Sequence, residues 1–200
     1  MFRTAQDYIL LIGFAYMDFD KIDKVKLLEI IPKISERSEG KDITLYVVGG
    51  TALTLLDLKD ASKDIDFIVN RKDWDFTNEI LNNLSEEYSI RIDRFFNGWM
   101  VGYWLPDDFR DKTLKLIKTD SLKIESLGLT DLLITKLIAS RILDKPDIDS
   151  IVQNYIDLVQ IETSDRLSEY TFNNPQEGRE KKQFIQNFIL EYFKKRKEKR

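Results

Sequence analysis

The chain contains no cysteine and no histidine. The first absence excludes disulfides, thiolate nucleophiles and zinc–thiolate centres. The second removes Ser-His-Asp triads, imidazole general bases and His-ligated metals in one step. Any metal must therefore be held by oxygen, which narrows the choice to Mg²⁺, Mn²⁺ or Ca²⁺. There is also no long apolar run. The stretch Tyr8 to Met17 is too short to cross a bilayer, and Asp18 and Asp20 follow it. It lacks a strong basic n-region and a small-residue cleavage site, so it reads as an N-terminal helix packed on a core, in a cytoplasmic protein. A strong charge excess is missing too. The net charge of −4 disfavours a globally basic nucleic-acid binder, although local basic faces are compatible with it.

What is present fits one soluble globular domain, or a compact domain with a helical appendage: 200 residues, 42% hydrophobic and 33% charged. Residues 5–17 and 21–38 read as helices; in the second, Val25, Leu28, Ile31 and Ile34 recur at near-helical spacing. Ile43 to Val48 is β-branched and apolar, a buried strand ended by Gly49-Gly50. Thr51 to Leu58 returns to helical character, and Asp64 to Val69 is a second strand. Asp73 to Ser85 forms a helix with Asp73 as its N-cap. Ser89 to Phe95 and Trp99 to Trp104 read as a strand pair turning at Asn97-Gly98, since Asn-Gly is a strong hairpin signal. A second hairpin covers 114–118 and 121–125. Helices are expected over 130–143, 147–160, 165–171 and 179–197. No repeat or low-complexity linker interrupts this order. The fold class expected is α/β, more closely α+β: a small mixed sheet with flanking helices over 1–127, and a helical region over 128–200 packed on it.

The segment from Tyr46 to Val69 carries the chemical signal. A buried strand passes through Gly49-Gly50-Thr51 directly into a helix. Glycine lets a backbone approach a phosphate and adopt positive φ. The following helix start presents free N–H groups, and Thr51 adds a hydroxyl donor. Strand-Gly-Gly-helix turns also occur for packing alone. Downstream, Asp64-Ile65-Asp66 places two carboxylates on one face of a strand, because side chains alternate. Two such carboxylates repel unless a cation lies between them. The competing reading is the solvated edge of a half-buried strand.

Together, Val48-Gly49-Gly50-Thr51-Ala52-Leu53 and Ser62-Lys63-Asp64-Ile65-Asp66-Phe67-Ile68 resemble the signature of the DNA polymerase beta-like nucleotidyltransferase superfamily. Further on, Leu129 to Arg141 followed by Asp144-Lys145-Pro146-Asp147-Ile148 is similar to the helical segment of abortive-infection toxin-type members. The resemblance spans roughly residues 43–152. It implies a nucleotidyltransferase core in which Gly49, Gly50 and Thr51 bind a nucleoside triphosphate (ATP, CTP or GTP) and Asp64 and Asp66 hold Mg²⁺ or Mn²⁺. Lys136 and Arg141 correspond to nucleotide-phosphate or helix-orienting residues, with Asp144 and Asp147 as additional acidic candidates. A third catalytic carboxylate is required, and Asp93 is the best placed, ahead of Glu125. Arg91 and Arg94 flank Asp93, so a structural ion pair competes with the catalytic reading.

Bland readings stand beside each of these. Lys136 also fits a solvated helix face, and Arg141, Asp144 and Asp147 fit a charge cluster at a helix end, with Pro146 favouring an N-cap. Trp99, Tyr103 and Trp104 read as packing residues, with base stacking as the alternative. The tail from Lys194 to Arg200 reads as a solubilising end, with a contact to RNA phosphates as the alternative. The functional expectation is transfer of a nucleoside monophosphate to a hydroxyl of RNA (tRNA in particular), a protein or a small molecule. A toxin-type enzyme with an antitoxin partner and no membrane association is included in it. The contrasting expectation is a nucleotide- or partner-binding protein without turnover.

Overall fold

The computed structural model describes residues 21–139 and 141–197. The helix expected over 5–17 and the last three residues of the basic tail lie outside the described residues. From Ile22 the chain forms β1 (Ile22–Asp23), α1 (Lys24–Ile30), α2 (Pro32–Glu36), β2 (Ile43–Val47), α3 (Gly49–Leu55), β3 (Ala61–Ser62) and β4 (Ile65–Val69). Then follow α4 (Trp74–Tyr88), β5 (Ile92–Phe96), β6 (Trp99–Met100), β7 (Tyr103–Trp104), β8 (Leu114–Lys118) and β9 (Leu122–Ser126). The last part holds α5 (Leu129–Ala139), α6 (Lys145–Ser168), β10 (Thr171–Phe172) and α7 (Pro175–Lys197).

A five-stranded mixed sheet of order β5-β4-β2-β9-β8 forms the centre. β2 runs antiparallel to β4 and parallel to β9, while β5 runs parallel to β4. Residues paired across strands project from the same face of a sheet. On one face the register aligns Leu45 with Val69 and Ile124, Val47 with Phe67, and Ile65 with Ile92, all buried. The other face carries Tyr46 opposite Ile68 and Glu125, and Asp66 opposite Asp93. The first face is apolar apart from Arg94 opposite Phe67 and Ser126 opposite Val47, and the second is polar at one end.

Helix α5 is buried along almost its whole length, from Leu129 to Ile138. Its two internal charges are matched inside the protein. Asp131 accepts two bonds from the Arg166 guanidinium, both at 2.8 Å, and one from the Tyr170 hydroxyl at 2.7 Å, fixing α6 against α5. Arg166 also reaches Asp108 and Glu169, and these contacts hold it charged despite burial. A buried guanidinium needs such a full set of acceptors.

The structure differs from the sequence expectations in four places. The helix expected over 21–38 divides at Pro32, which has no N–H to give to Leu28, and its first residues form β1. The strand pair expected across Asn97-Gly98 is not formed. β5 instead joins the central sheet beside β4, and Trp99-Met100 pairs with Tyr103-Trp104 around Val101-Gly102. Asn97 and Gly98 do take positive φ, as their turn chemistry predicts, but the turn redirects the chain between two sheets. Helices 147–160 and 165–171 merge into α6 with a non-helical residue at Tyr155, and 171–172 is a strand edge.

Candidate active site

The strand-to-helix turn is built around its glycines. Val48 is extended, Gly49 has φ +58, and α3 begins at once. A methyl group on Gly49 would lie 2.7 Å from Asp66 Oδ2, and one on Gly50 would collide with Ser62 Oγ. Gly49 therefore admits Asp66 of β4 and Gly50 admits Ser62 of β3, and Gly49 also needs the left-handed conformation. Thr51 is buried. Its hydroxyl donates to the Asp64 carbonyl at 3.1 Å and accepts from the Asp66 N–H at 2.9 Å. The free hydroxyl donor expected from the sequence is thus engaged within the protein. It clamps the start of β4 to α3.

Asp64 and Asp66 alternate with buried Ile65, and the β4–β5 register sets Asp93 directly beside Asp66. One carboxylate oxygen from each of Asp64, Asp66 and Asp93 lies within 4.8 Å of the others. Burial, then the charges of Asp64 and Asp93, push the Asp66 carboxyl up to about 7. Arg91 answers part of this charge: its Nε and Nη2 donate to the two oxygens of Asp93 at 3.0 and 2.6 Å. Arg94 points elsewhere, donating to Asn82 Oδ1 at 2.6 Å. Glu125 is separated from the cluster by β2 and accepts from the Thr113 hydroxyl.

A second group of charges sits alongside. Lys136 does not emerge to solvent; its ammonium lies 2.8 Å from Asp144 Oδ1 and 2.7 Å from Asp147 Oδ2. Arg141 Nε donates to Asp144 at 2.8 Å, and Lys59 Nζ donates to Asp147 at 2.9 Å. Burial opposes the charges of Lys136 and Asp144, yet their mutual bonds hold the ammonium above and the carboxyl below their usual ranges, with Arg141 aiding Asp144. This group is close enough to the triad that Lys136 pulls down the Asp66 pKa and that Asp64 and Asp66 raise that of Arg141.

The structure thus brings together Gly49, Gly50, Thr51, Asp64, Asp66 and Asp93. It places Lys136, Arg141, Asp144 and Asp147 in an adjoining ion network rather than among the clustered carboxylates. Sequence reasoning missed Lys59 and Ser62. Ser62 ends β3 two residues before Asp64, and neither it nor Lys59, in the preceding loop, belongs to a periodic run that would have marked it.

The three carboxylates suit a hard divalent cation. All their donors are oxygen. One oxygen from each lies within 4.8 Å of the others, a bound comparable with the maximum of roughly 4.2 Å between two ligand oxygens at Mg²⁺–O distances of about 2.1 Å. Asp66 is raised first by burial and then by the neighbouring charges of Asp64 and Asp93, which a bound cation would offset.

A mixed sheet thus carries a Gly-Gly turn facing three carboxylates at its two parallel neighbouring strands β4 and β5. The sequence profile of the nucleotidyltransferases of unknown function (DUF6036) matches residues 25–200, and the chain belongs to that family. No curated protein and no solved structure gives a significant match. Among the described residues no helix is long and apolar enough to cross a membrane.

Proposed function

We propose that the protein transfers a nucleoside monophosphate from a nucleoside triphosphate to an acceptor hydroxyl, with release of pyrophosphate. The observation that carries this reading is the convergence of Asp64, Asp66 and Asp93 beside the Gly49–Gly50 turn. In it, Asp64 and Asp66 hold Mg²⁺ or Mn²⁺ with Asp93. The bound ions would neutralise charge developing on the transferred phosphoryl group and the leaving pyrophosphate. The turn takes the triphosphate, and Lys136 and Arg141 add positive potential from the adjoining network. Asp93 accepts the proton of the acceptor hydroxyl as its oxygen bonds to the α-phosphorus and the bond to pyrophosphate breaks. The resemblance to abortive-infection toxins favours tRNA or a protein as acceptor and a small antitoxin as partner.

One observation favours a second reading, nucleotide binding without turnover: both oxygens of Asp93 are engaged by Arg91. Calorimetric titration of ATP, GTP, CTP and UTP, with and without Mg²⁺, tests the first step. Mg²⁺-dependent binding is expected in the native protein and absent from the Asp64→Ala/Asp66→Ala variant. Pyrophosphate release with tRNA or protein acceptors then separates the readings. No binding of any NTP would refute both.

A further inference from the structure

The sequence assigns phosphate binding to Lys136, but the geometry points to a different cation. The Lys136 side chain is 7% exposed and gives two N–H groups to Asp144 and Asp147. An ammonium has three. Lys59 is 31% exposed and among the described residues makes one ion pair, with Asp147 Oδ2 at 2.9 Å, which leaves two N–H groups for a ligand. It also stands at the turn, since a methyl group on Gly50 would lie 3.8 Å from Lys59 Nζ. The Asp147 carboxylate joins both lysines. Ser150 Oγ donates to the Leu58 carbonyl at 2.8 Å, tying the residue before Lys59 to the same helix. Three cations, Lys59, Lys136 and Arg141, face two carboxylates, Asp144 and Asp147, so the network keeps one positive charge in excess.

We infer that Lys59 is the direct ligand of the triphosphate tail. Asp147 is the positioning residue that holds it beside the Gly49–Gly50 turn, and Lys136 anchors Asp147 from behind. This division of roles rests on the nucleotidyltransferase reading above. It assigns the nucleotide's polyphosphate, independent of its base, to a loop cation in the core and a carboxylate from α6.

The test uses ligands without a base. Magnesium tripolyphosphate, magnesium pyrophosphate and the NTP bound by the native protein are titrated into native protein, Lys59→Gln and Lys59→Arg. Mn²⁺ binding to each is followed in parallel by electron paramagnetic resonance, and melting is recorded. Asp147 keeps its bond to Lys136 in the Lys59→Gln variant, so the fold is retained. Loss of one charged hydrogen bond weakens tripolyphosphate and NTP binding by about ten- to a hundredfold. Lys59→Arg recovers most of that affinity, and Mn²⁺ binding is unchanged throughout. Equal polyphosphate affinity in native protein and Lys59→Gln overturns the inference and leaves the nucleotidyltransferase reading standing. Joint loss of Mn²⁺ and polyphosphate binding with a lowered melting temperature makes Lys59 a structural residue and overturns it too. Failure of the native protein to bind any NTP or polyphosphate removes the reading and the inference together.

Discussion

Two groups of aspartates lie within electrostatic reach of each other and are treated in opposite ways. Asp144 and Asp147 are each held by two cations, Lys136 with Arg141 for the first and Lys136 with Lys59 for the second. Among the described residues, Asp64, Asp66 and Asp93 have one ion-pair partner, Arg91, which sits at their edge on Asp93. The consequence is visible in proton affinity: Asp144 is held below the usual carboxylate range, whereas Asp66 is pushed up to about 7. Residue type alone does not distinguish the groups, and Asp144 and Asp147 are the more deeply buried, which on its own would raise their proton affinity. The difference is whether the protein itself completes the charge balance. A group completed internally fixes one helix to another. In the group left incomplete, Asp66 keeps its proton up to about 7.

The comparison can be broken most forcefully by removing the completed group. In Asp144→Ala/Asp147→Ala the buried Lys136 ammonium has lost both carboxylates, and stability should fall by roughly 3–5 kcal/mol. Urea unfolding measures it. Asp66→Asn should go the other way without metal, raising the melting temperature by removing a repelled charge. A loss of stability there would mean that the triad is balanced internally after all.

Next in size is the clamp between α3 and β4. Thr51→Val leaves the Asp66 N–H and the Asp64 carbonyl without the hydroxyl, at about 1–3 kcal/mol. The same unfolding experiment reads this, and Mn²⁺ affinity should fall with it because both ligands ride on that segment.

The pH dependence sharpens the contrast further. Metal ligands bind deprotonated. With Asp66 titrating near 7, Mn²⁺ affinity should drop by roughly tenfold between pH 8 and pH 6. Without metal the sign for stability is reversed. The folded state holds the Asp66 proton more tightly than the unfolded chain does. The group's contribution is therefore present at low pH and is lost as pH rises from the ordinary carboxylate range through about 7. Melting curves across that range, with and without Mn²⁺, check both signs.

The smallest effect belongs to Arg91→Ala. Arg91 is 60% exposed, and such pairs contribute about 0–1 kcal/mol. Stability should hardly change, while Mn²⁺ affinity rises as both Asp93 oxygens are released. An unchanged affinity would show that Arg91 does not compete with the cation.

The turn and the paired aspartates were legible because they are local. Alternation alone puts Asp64 and Asp66 on one side of a strand, and a glycine pair between strand and helix marks a close approach. Asp93 could be nominated from its position, but its placement depends on β5 lying parallel to β4. The Asn97-Gly98 signal misdirected that strand toward Trp99–Trp104. A turn dipeptide fixes local backbone, while the partner of a strand is set by which face Ile92 can bury. Lys136 shows the same limit. An apolar helix with one lysine looked like a helix with an exposed edge, because its buried partners lie beyond the helix end in Asp144 and Asp147. Lys59 had no periodic context at all; its place follows only from a contact with Asp147, 88 residues away.

That separation has a temporal side. The chain leaves the ribosome N-terminus first. The turn, Asp64, Asp66 and Asp93 have all been synthesised by the end of β5, long before Lys136, Asp144 and Asp147. A nascent chain at that stage carries the three clustered aspartates and Lys59, but none of the partners that hold Lys59 in place. The strand β9 that flanks β2 is also still missing. The aspartates and Lys59 therefore precede the Asp147 carboxylate that fixes Lys59, and the site takes its final arrangement only when α6 docks.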